Sequence, residues 1–471
     1  MVVRVGVTRS RDGADPQNIG DTALGQTEIV VRLLLIDQES MGLDFALRAK
    51  AAGWDVRWYR FSNGKPIRDG EGFGLTIVDD WRGSIPWVGK DGLIWLSGNF
   101  RFLQELDRFR EFGFNIFGPT AASAALEIKR SAGLEAMRAV GIEVPPYQEF
   151  ASLEDAEKFA RKSDRAYVFK TLGDEDDKSL SFVADDPAEL VGWIQQKIAR
   201  GMKLKGPCLL QEKIDMLCEV GVSGWMGSDG FLPDRWQFCF EHKKLMNDEI
   251  GPNTGEMGTV TQYSETDKLA DEMLKPMEPI LRTLGHRGDF AIGAGIDKSG
   301  RAWPFEFTAR AGWPCFFIQL ASHRGDPARW MLDALNGRDT LKVSHDVAIG
   351  VVLAQPMFPY NKSPPERVEG NPIAGFDEVW PDIHPVSVMR GRGPQMKDGK
   401  VVDGPNYQTT GEYVAVATSL GKSIEVARKK VYGVVDHVHF PDMIHRTDIG
   451  EKVAKVLPKL HSYGYALDMK A

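Results

Sequence analysis

The chain has 471 residues, 42% of them hydrophobic and 26% charged, with 58 Lys and Arg against 66 Asp and Glu for a formal net charge of −8. At about 100–200 residues per domain that length predicts three or four folded units and excludes a single small module. The acidic balance supplies no global pull toward nucleic-acid phosphates or anionic lipid, so it excludes non-specific nucleic-acid binding while permitting a local basic cleft.

Residues 1–29 mix Arg, Asp, Gly and Gln without periodicity and read as an N-terminal extension. From Val30 the run VVRLLLID predicts a strand, 43–52 a helix, and WDVRWYRF a second strand. Apolar runs at 75–78 and 93–96, a helix over 100–112 and the strand FNIFG continue an alternating α/β series with a parallel sheet, giving a first domain over 30–118. GPTAAS and an amphipathic segment to Val140 follow, then GIEVPP, the helix SLEDAEKFARK and the strand AYVFK. Next come the strand and helix of SLSFVADDPAELVGWIQQKIAR, then CLLQEKI and strands over 220–240. A helix over 267–284, strands over 290–296 and 303–307, and a helix from Phe316 complete a central domain over 119–337, with a lid subdomain at about 125–200. HDVAIGVVLAQPMF, GEYVAVATSL and VDHVHF are predicted strands and SIEVARKKVYGVV a helix, making a small α+β domain over 338–471.

Four cysteines, Cys208, Cys218, Cys239 and Cys315, are too few for a disulfide framework at this size and none stand as a CxxC pair, so buried reduced thiols are expected. No run approaches the apolar length of a membrane span, and the first 30 residues lack the apolar core of a signal peptide. A cytoplasmic protein without membrane contact is the expectation.

Charged and glycine residues concentrate on four turns between strands, where sites usually sit. Lys170 ends AYVFK, and a strand-end lysine under a loop can neutralise triphosphate oxygens as a point charge. Lys178 lies in the next loop, TLGDEDDKSL. CLLQEKIDMLCEVGV is a strand, turn and strand with Glu219 after the turn, a carboxylate suited to a ribose diol. EHKKLMNDEIGPNTGEMG brings His242, Lys243 and Lys244 close to turn residues Asn253, Thr254 and Gly255, a combination that suits an anionic intermediate. In DFAIGAGIDKSGRAWPFEFTARAGWP, strand alternation puts Glu306, Thr308 and Arg310 on one face.

The order and wording of FGPTAASAALE (117–127), VFK (168–170), GPNTGEMG (251–258), EFTAR (306–310), GEYVAVATSLG and HRTDIG resemble the phosphoribosylamine–glycine ligase (glycinamide ribonucleotide synthetase) family of the ATP-grasp superfamily, over 30–450. The resemblance implies an ATP-grasp fold between an N-terminal parallel-sheet α/β domain and a small C-terminal α+β domain. It assigns Lys170 and Lys178 to the ATP phosphates, Gln211, Glu212 and Lys213 to the adenine hinge, and Glu219 to the ribose. Glu306, Thr308 in place of the family's asparagine, and Asp289 as a compensating carboxylate would hold Mg²⁺ or Mn²⁺. Arg310 would stabilise the transferring phosphoryl group, with Lys243 and Lys244 as further catalytic cations. His242, Asn253, Thr254 and Gly255 would line the cleft where the substrates meet, with Gly42 and Asn99 as further substrate-binding positions.

Departures gather on the amine side. Where the family has GGREHAL, this chain has QESMGLDFAL, with Leu43 and Phe45 replacing arginine and histidine and Gly42 persisting. The family's GPEAPL reads SGNFRFL, with Asn99 near the lost acid and Arg101 as a replacement charge. Asp177 and Ser179 replace glycines of the lid loop, Leu217 one before the ribose acid, and Glu256 the second glycine of GPNTGGMG. The implied activity is an ATP- and magnesium-dependent carboxylate–amine ligase of purine biosynthesis, acting on small molecules: ATP, an amino acid such as glycine, and an amine. It would proceed through an acyl phosphate, a chemistry of positioning and charge neutralisation that fits the absence of a Ser, His and Asp triad. Two alternatives stand beside it: a specialised paralogue ligating an amino acid to another nucleotide or base amine, and a nucleotide-binding regulator without turnover.

Overall fold

The computed structural model describes residues 30–61, 67, 70–99, 101–172, 181–204 and 206–471. The expected extension over 1–29 and Lys178 lie outside the described residues, as do Asp177 and Ser179. The first sheet is parallel, with β1 (Arg32–Gln38), β2 (Asp55–Phe61), β3 (Thr76–Ile77), β4 (Leu93–Leu96) and β5 (Ile116–Phe117) in the order β3-β2-β1-β4-β5. Leu33 to Ile36 of β1 are fully buried because helices cover both faces, as a continuous apolar run requires. Those helices include α1 (Leu43–Ala51), α2 (Ile85–Val88) and α3 (Leu103–Glu111).

Helices α4 (Ala121–Ile128) and α5 (Arg130–Ala139) lead into a four-stranded antiparallel sheet. Thr120 caps α4: its hydroxyl accepts the Ser123 N–H while the Ser123 side chain accepts the Thr120 N–H, satisfying two orphan donors. The sheet contains β6 (Tyr147–Phe150), β7 (Tyr167–Thr171), β8 (Phe182–Val183) and β9 (Cys208–Glu212), ordered β6-β9-β7-β8. It is backed by α6 (Leu153–Ala160) and α7 (Pro187–Ala199), whose buried Leu153, Ala156, Leu190 and Ile194 form its own core.

The main sheet is antiparallel and joins distant parts of the chain. It takes β10 (Met216–Gly227), with the short β11 (Gly230–Phe231) at its end, and β12 (Trp236–Glu241). A hairpin of β13 (Lys244–Met246) and β14 (Ile250–Asn253) separates β12 from β15 (Gly258–Ser264). After α8 (Glu278–Thr283) come β16 (Gly288–Asp297), β17 (Ala302–Thr308), α9 (Cys315–Ser322), β18 (His323–Arg324), α10 (Arg329–Leu335), β19 (Lys342–Val343) and β20 (Val347–Ala354). Beyond them lie α11 (Pro365–Val368), β21 (Glu369–Ile373), β22 (Ile383–Pro385), β23 (Val388–Lys397), β24 (Lys400–Thr410), β25 (Tyr413–Gly421), α12 (Ile424–Val435) and α13 (Glu451–Ser462). The order β17-β16-β10-β12-β15-β20-β25-β22 runs across the boundary expected at 337, because β15 pairs with β20 from Gly258↔Val351 to Thr261↔Ala348.

Several elements differ from expectation. The helix expected over 267–284 is present but not uniform: Ala270–Leu274 is a π-helical turn and Lys275–Met277 a 3₁₀ turn leading into α8, where Pro276 and Pro279 lack N–H donors for a regular α ladder. VDHVHF is not a strand; α12 runs to Val435 and His439 alone bridges Ala374. Of the cysteines, Cys208 and Cys239 are buried but Cys218 and Cys315 are half-buried, and all four are free thiols. Among the described residues no helix is long and apolar enough to cross a membrane.

Candidate functional site

Strands β7, β10, β12 and β17 bring together residues that are remote in sequence. Lys170 stands near the end of β7 and donates to Gln211 Oε1 of β9 at 2.6 Å. Burial pushes its pKa down to about 7, helped by the Arg130 charge from α5 and by Lys243, against Glu306 and Glu219, which favour the ammonium. The fold thus crowds positive charge around Lys170, and an arriving anion would relieve it.

Lys243, just after β12, shifts the other way. Its Nζ lies 3.1 Å from Glu241 and 3.4 Å from Glu219. Glu241 foremost, and then Glu219 and Glu306, hold its pKa well above the usual lysine value despite burial. Glu241 in turn hydrogen-bonds Glu256, whose other contact is the Thr259 hydroxyl. Burial and the Glu241 charge raise the Glu256 pKa well above the carboxylate range, which favours its neutral form. Its side chain is turned into the protein rather than into the cleft.

Glu306 on β17 is half-buried and interacts electrostatically with both Lys170 and Lys243. Thr308 is half-buried two residues on, and the pairs Gly293↔Glu306 and Ala291↔Thr308 put both on one face. Arg310 lies beyond the strand, with Nη2 3.3 Å from Glu127 of α4 and Nη1 donating to Ala311 O at 3.0 Å. The Glu127 carboxylate also accepts the Ala309 N–H at 2.7 Å, which fixes the segment that carries the guanidinium.

Other expected residues are placed differently. Asp289 is buried beneath Arg310, where it accepts from Gln319 Nε2 at 3.2 Å and from the Gly312 N–H; burial pushes its pKa up to about 7. That carboxyl belongs to a polar group with Gln319, Gln237 and Ser223, so Glu306 and Thr308 are the oxygens left for a metal. His242 is fully buried, its Nε2 accepting the Gly450 N–H at 3.1 Å, and burial lowers its pKa to about 3. It tethers the C-terminal segment rather than facing a substrate. The Thr254 N–H and hydroxyl both donate to Lys243 O, at 2.7 and 2.8 Å, and Asn253 pairs with Lys244, so this turn is a closed hairpin end with Gly255 exposed. At the hinge, the Glu212 and Lys213 N–H groups donate to Pro146 O and Ala166 O, and their side chains pair with Arg165 and Asp185. Gln211 contributes its side chain instead of its backbone.

Arg130, Glu127 and Glu241 are members of the site that sequence reasoning missed. Glu127 and Glu241 lie inside or beside quoted motifs, and charge alone could have raised them as candidates.

A model of the phosphoribosylglycinamide synthetase C domain matches residues 348–452. Among curated proteins, the phosphoribosylamine–glycine ligase of Vibrio parahaemolyticus is 27% identical over 359 residues, covering 73% of this chain and 79% of the relative. The enzyme of that name from Ralstonia nicotianae is 27% identical, covering 74% and 81%. The chain is similar to phosphoribosylamine–glycine ligases over about three quarters of its length. Solved structures agree on an ATP-grasp fold: a phosphoribosylamine–glycine ligase from Thermotoga maritima superposes with a TM-score of 0.66 at 22% identity, over 89% of this chain and all of that one. An N5-carboxyaminoimidazole synthetase from Staphylococcus aureus reaches 0.54 at 14% identity, over 86% and 97%.

Two of the side chains by which the sequence departs from the family it resembles are built into the core. Leu43 and Phe45 are fully buried; the Phe45 ring packs on Trp95 at 4.5 Å and Phe316 at 5.8 Å between centroids. Gly42 has no room for a side chain, since a Cβ there would meet Leu35 and Trp95 at 2.9 Å. Asn99 is half-buried after β4.

Proposed function

We propose that this chain is an ATP-dependent carboxylate–amine ligase of the phosphoribosylamine–glycine ligase type, using Mg²⁺. The observation that carries the reading is the convergence of Lys170 of β7, Lys243 just after β12 and Glu306 of β17 into one interacting cluster of charges. The γ-phosphoryl group of ATP passes to a carboxylate to give an acyl phosphate; an amine then attacks its carbonyl carbon, and phosphate leaves as the amide forms. Lys170, oriented by Gln211, neutralises phosphate oxygens, and Lys243, held between Glu219 and Glu241, faces the same charge. Arg310, steadied through Glu127, stabilises the transferring group.

One carboxylate and one hydroxyl on a strand face suit Mg²⁺, which takes few protein oxygens and completes its shell from nucleotide phosphates and water. Glu306 and Thr308 would hold it, and it would polarise the phosphoryl oxygens when bound. Glycine is the carboxylate proposed from the relatives' names. The burial of Leu43 and Phe45 favours the second reading for the amine, a partner other than phosphoribosylamine.

The test is ADP release with ATP, Mg²⁺ and glycine across a panel of amines that includes phosphoribosylamine. Release with at least one amine supports a ligase; tight ATP binding with no release for any amine would instead support a regulator. Arg310→Ala should abolish turnover while ATP affinity stays within about threefold, and retained turnover would remove its assigned role.

A further inference from the structure

Lys243 sits on the link between β12 and the β13–β14 hairpin, and apolar burial does little to fix that hairpin in place. β13 and β14 pair with each other and with no third strand among the described residues, and a two-stranded ribbon is marginal by itself. Met246 and Ile250 are exposed, and Leu245 is only half-buried.

What holds the hairpin is a clamp of polar bonds from the far end of the chain, the HRTDIG segment at 445–450, a motif to which the proposed reaction gives no role. Arg446 is fully buried and directs its donors three ways. Its Nε and Nη2 donate to the two oxygens of Asp448, both at 2.7 Å, Nη2 also donates to Glu249 Oε1 at 2.9 Å, and Nη1 donates to Lys244 O at 3.1 Å. Asp448 Oδ2 accepts the Asp248 N–H at 3.0 Å as well. The Thr447 N–H donates to Asn247 Oδ1 at 3.0 Å, and the Asn247 amide donates to Thr447 Oγ1 at 2.6 Å. On the other side of Lys243, His242 Nε2 accepts the Gly450 N–H at 3.1 Å. Residues 242 and 244 are thus each bonded to the same remote segment, and Lys243 between them carries the ammonium that lies against Glu241 and Glu219. A planar guanidinium with donors in a fixed fork can span a carboxylate and a backbone carbonyl at once, which a lysine in its place could not.

We propose that Arg446 is a positioning residue for phosphoryl transfer: by holding Lys244 O, with Gly450 holding His242, it sets where the Lys243 ammonium stands against the nucleotide phosphates. The proposal deepens the ligase reading and rests on it for the role of Lys243. Its leverage comes from geometry, since a misplacement of about 1 Å in such a site can cost about a hundredfold in rate.

A double-mutant cycle in the full-length protein separates positioning from support of the fold. In the ADP-release assay, Arg446→Ala is expected to lower kcat/KM for ATP at least about tenfold in an otherwise wild-type chain, and less than about twofold where Lys243→Ala is already present. Equal losses in the two backgrounds would overturn the proposal, and so would an undiminished kcat/KM in a folded Arg446→Ala. Arg446→Lys keeps the charge but not the fork, and should show the same non-additivity with a smaller loss; it decides alone if Arg446→Ala does not fold. Lys452→Ala removes a second bond to Glu249, at 3.0 Å, from a residue bonded to Glu249 rather than to 242–244. It should leave kcat/KM within about twofold, and a loss as large as that of Arg446→Ala would mean general support of the hairpin and overturn the proposal. If no amine gives release, the ligase reading falls and the same cycle is read on ATP affinity by calorimetry, where non-additive losses support the positioning role. Additive losses there, or a wild type that binds no ATP, overturn it.

Discussion

The charged cluster between β7, β10 and β17 and the buried carboxylate at the end of β1 are both strained by burial and differ in how far neighbouring groups satisfy them. In the cleft, Lys170 is bonded to a neutral amide, and burial first, then the Arg130 and Lys243 charges, outweigh Glu306 and Glu219, so its pKa falls to about 7. At the end of β1, the fully buried Asp37 carboxylate has donors on both oxygens, the Gly42 N–H and the Trp58 indole N–H, which hold down a pKa that burial still lifts to about 6. A buried charge serves a ligand only where the fold leaves its interactions incomplete; where the fold completes them, the same chemistry becomes structure.

That contrast can be broken at both ends. Lys170→Ala and Glu306→Ala should each lower ADP formation by about a thousandfold, measured in steady state, while leaving the unfolding midpoint within a few degrees. Phe45→Ala should do the reverse, costing about 3–4 kcal/mol in urea unfolding with little change in the KM for ATP. A smaller effect sharpens the reading of Lys170. Because its pKa is depressed in the free protein, a bound triphosphate should raise it, so ATP binding near pH 8 takes up as much as about one proton and weakens as pH rises from 7 toward 10. Calorimetry in buffers of different ionisation enthalpy measures that uptake. The smallest effect concerns Glu256→Gln: because burial and Glu241 favour the neutral form of Glu256, an amide there keeps a donor toward Glu241, and kcat and its pH profile should change less than about threefold. A large shift in the profile would show instead that Glu256 carries charge into the cleft.

Much of this was legible in the sequence, for reasons that separate local from distant information. The apolar run at 33–36 could only be a strand buried on both faces, and Lys170, Glu306 and Arg310 stood out because they lie in motifs whose order matches the family the sequence resembles. What escaped depended on partners far along the chain. Gln211 meets Lys170 across 41 residues, His242 meets Gly450 across 208, and neither pairing has a local signature. Glu256 read as an added cleft charge because its partner Thr259 and its burial were invisible. Helix α13 was overlooked although Val453, Leu457 and Leu460 share one face; Pro458 inside it obscured the periodicity. VDHVHF alternated over too few residues to outweigh the continuation of α12.

The pairing of β15 with β20 bears on how the chain could be divided. A cut in the 337–346 stretch would leave Gly258–Ser264 and Val347–Ala354 as two bare, apolar strand edges, each a template for aggregation. The halves are thus complementary fragments of one sheet, expected to be soluble when co-expressed and to regain activity by re-forming that seam, which makes this stretch a natural split point for a reporter of reassembly.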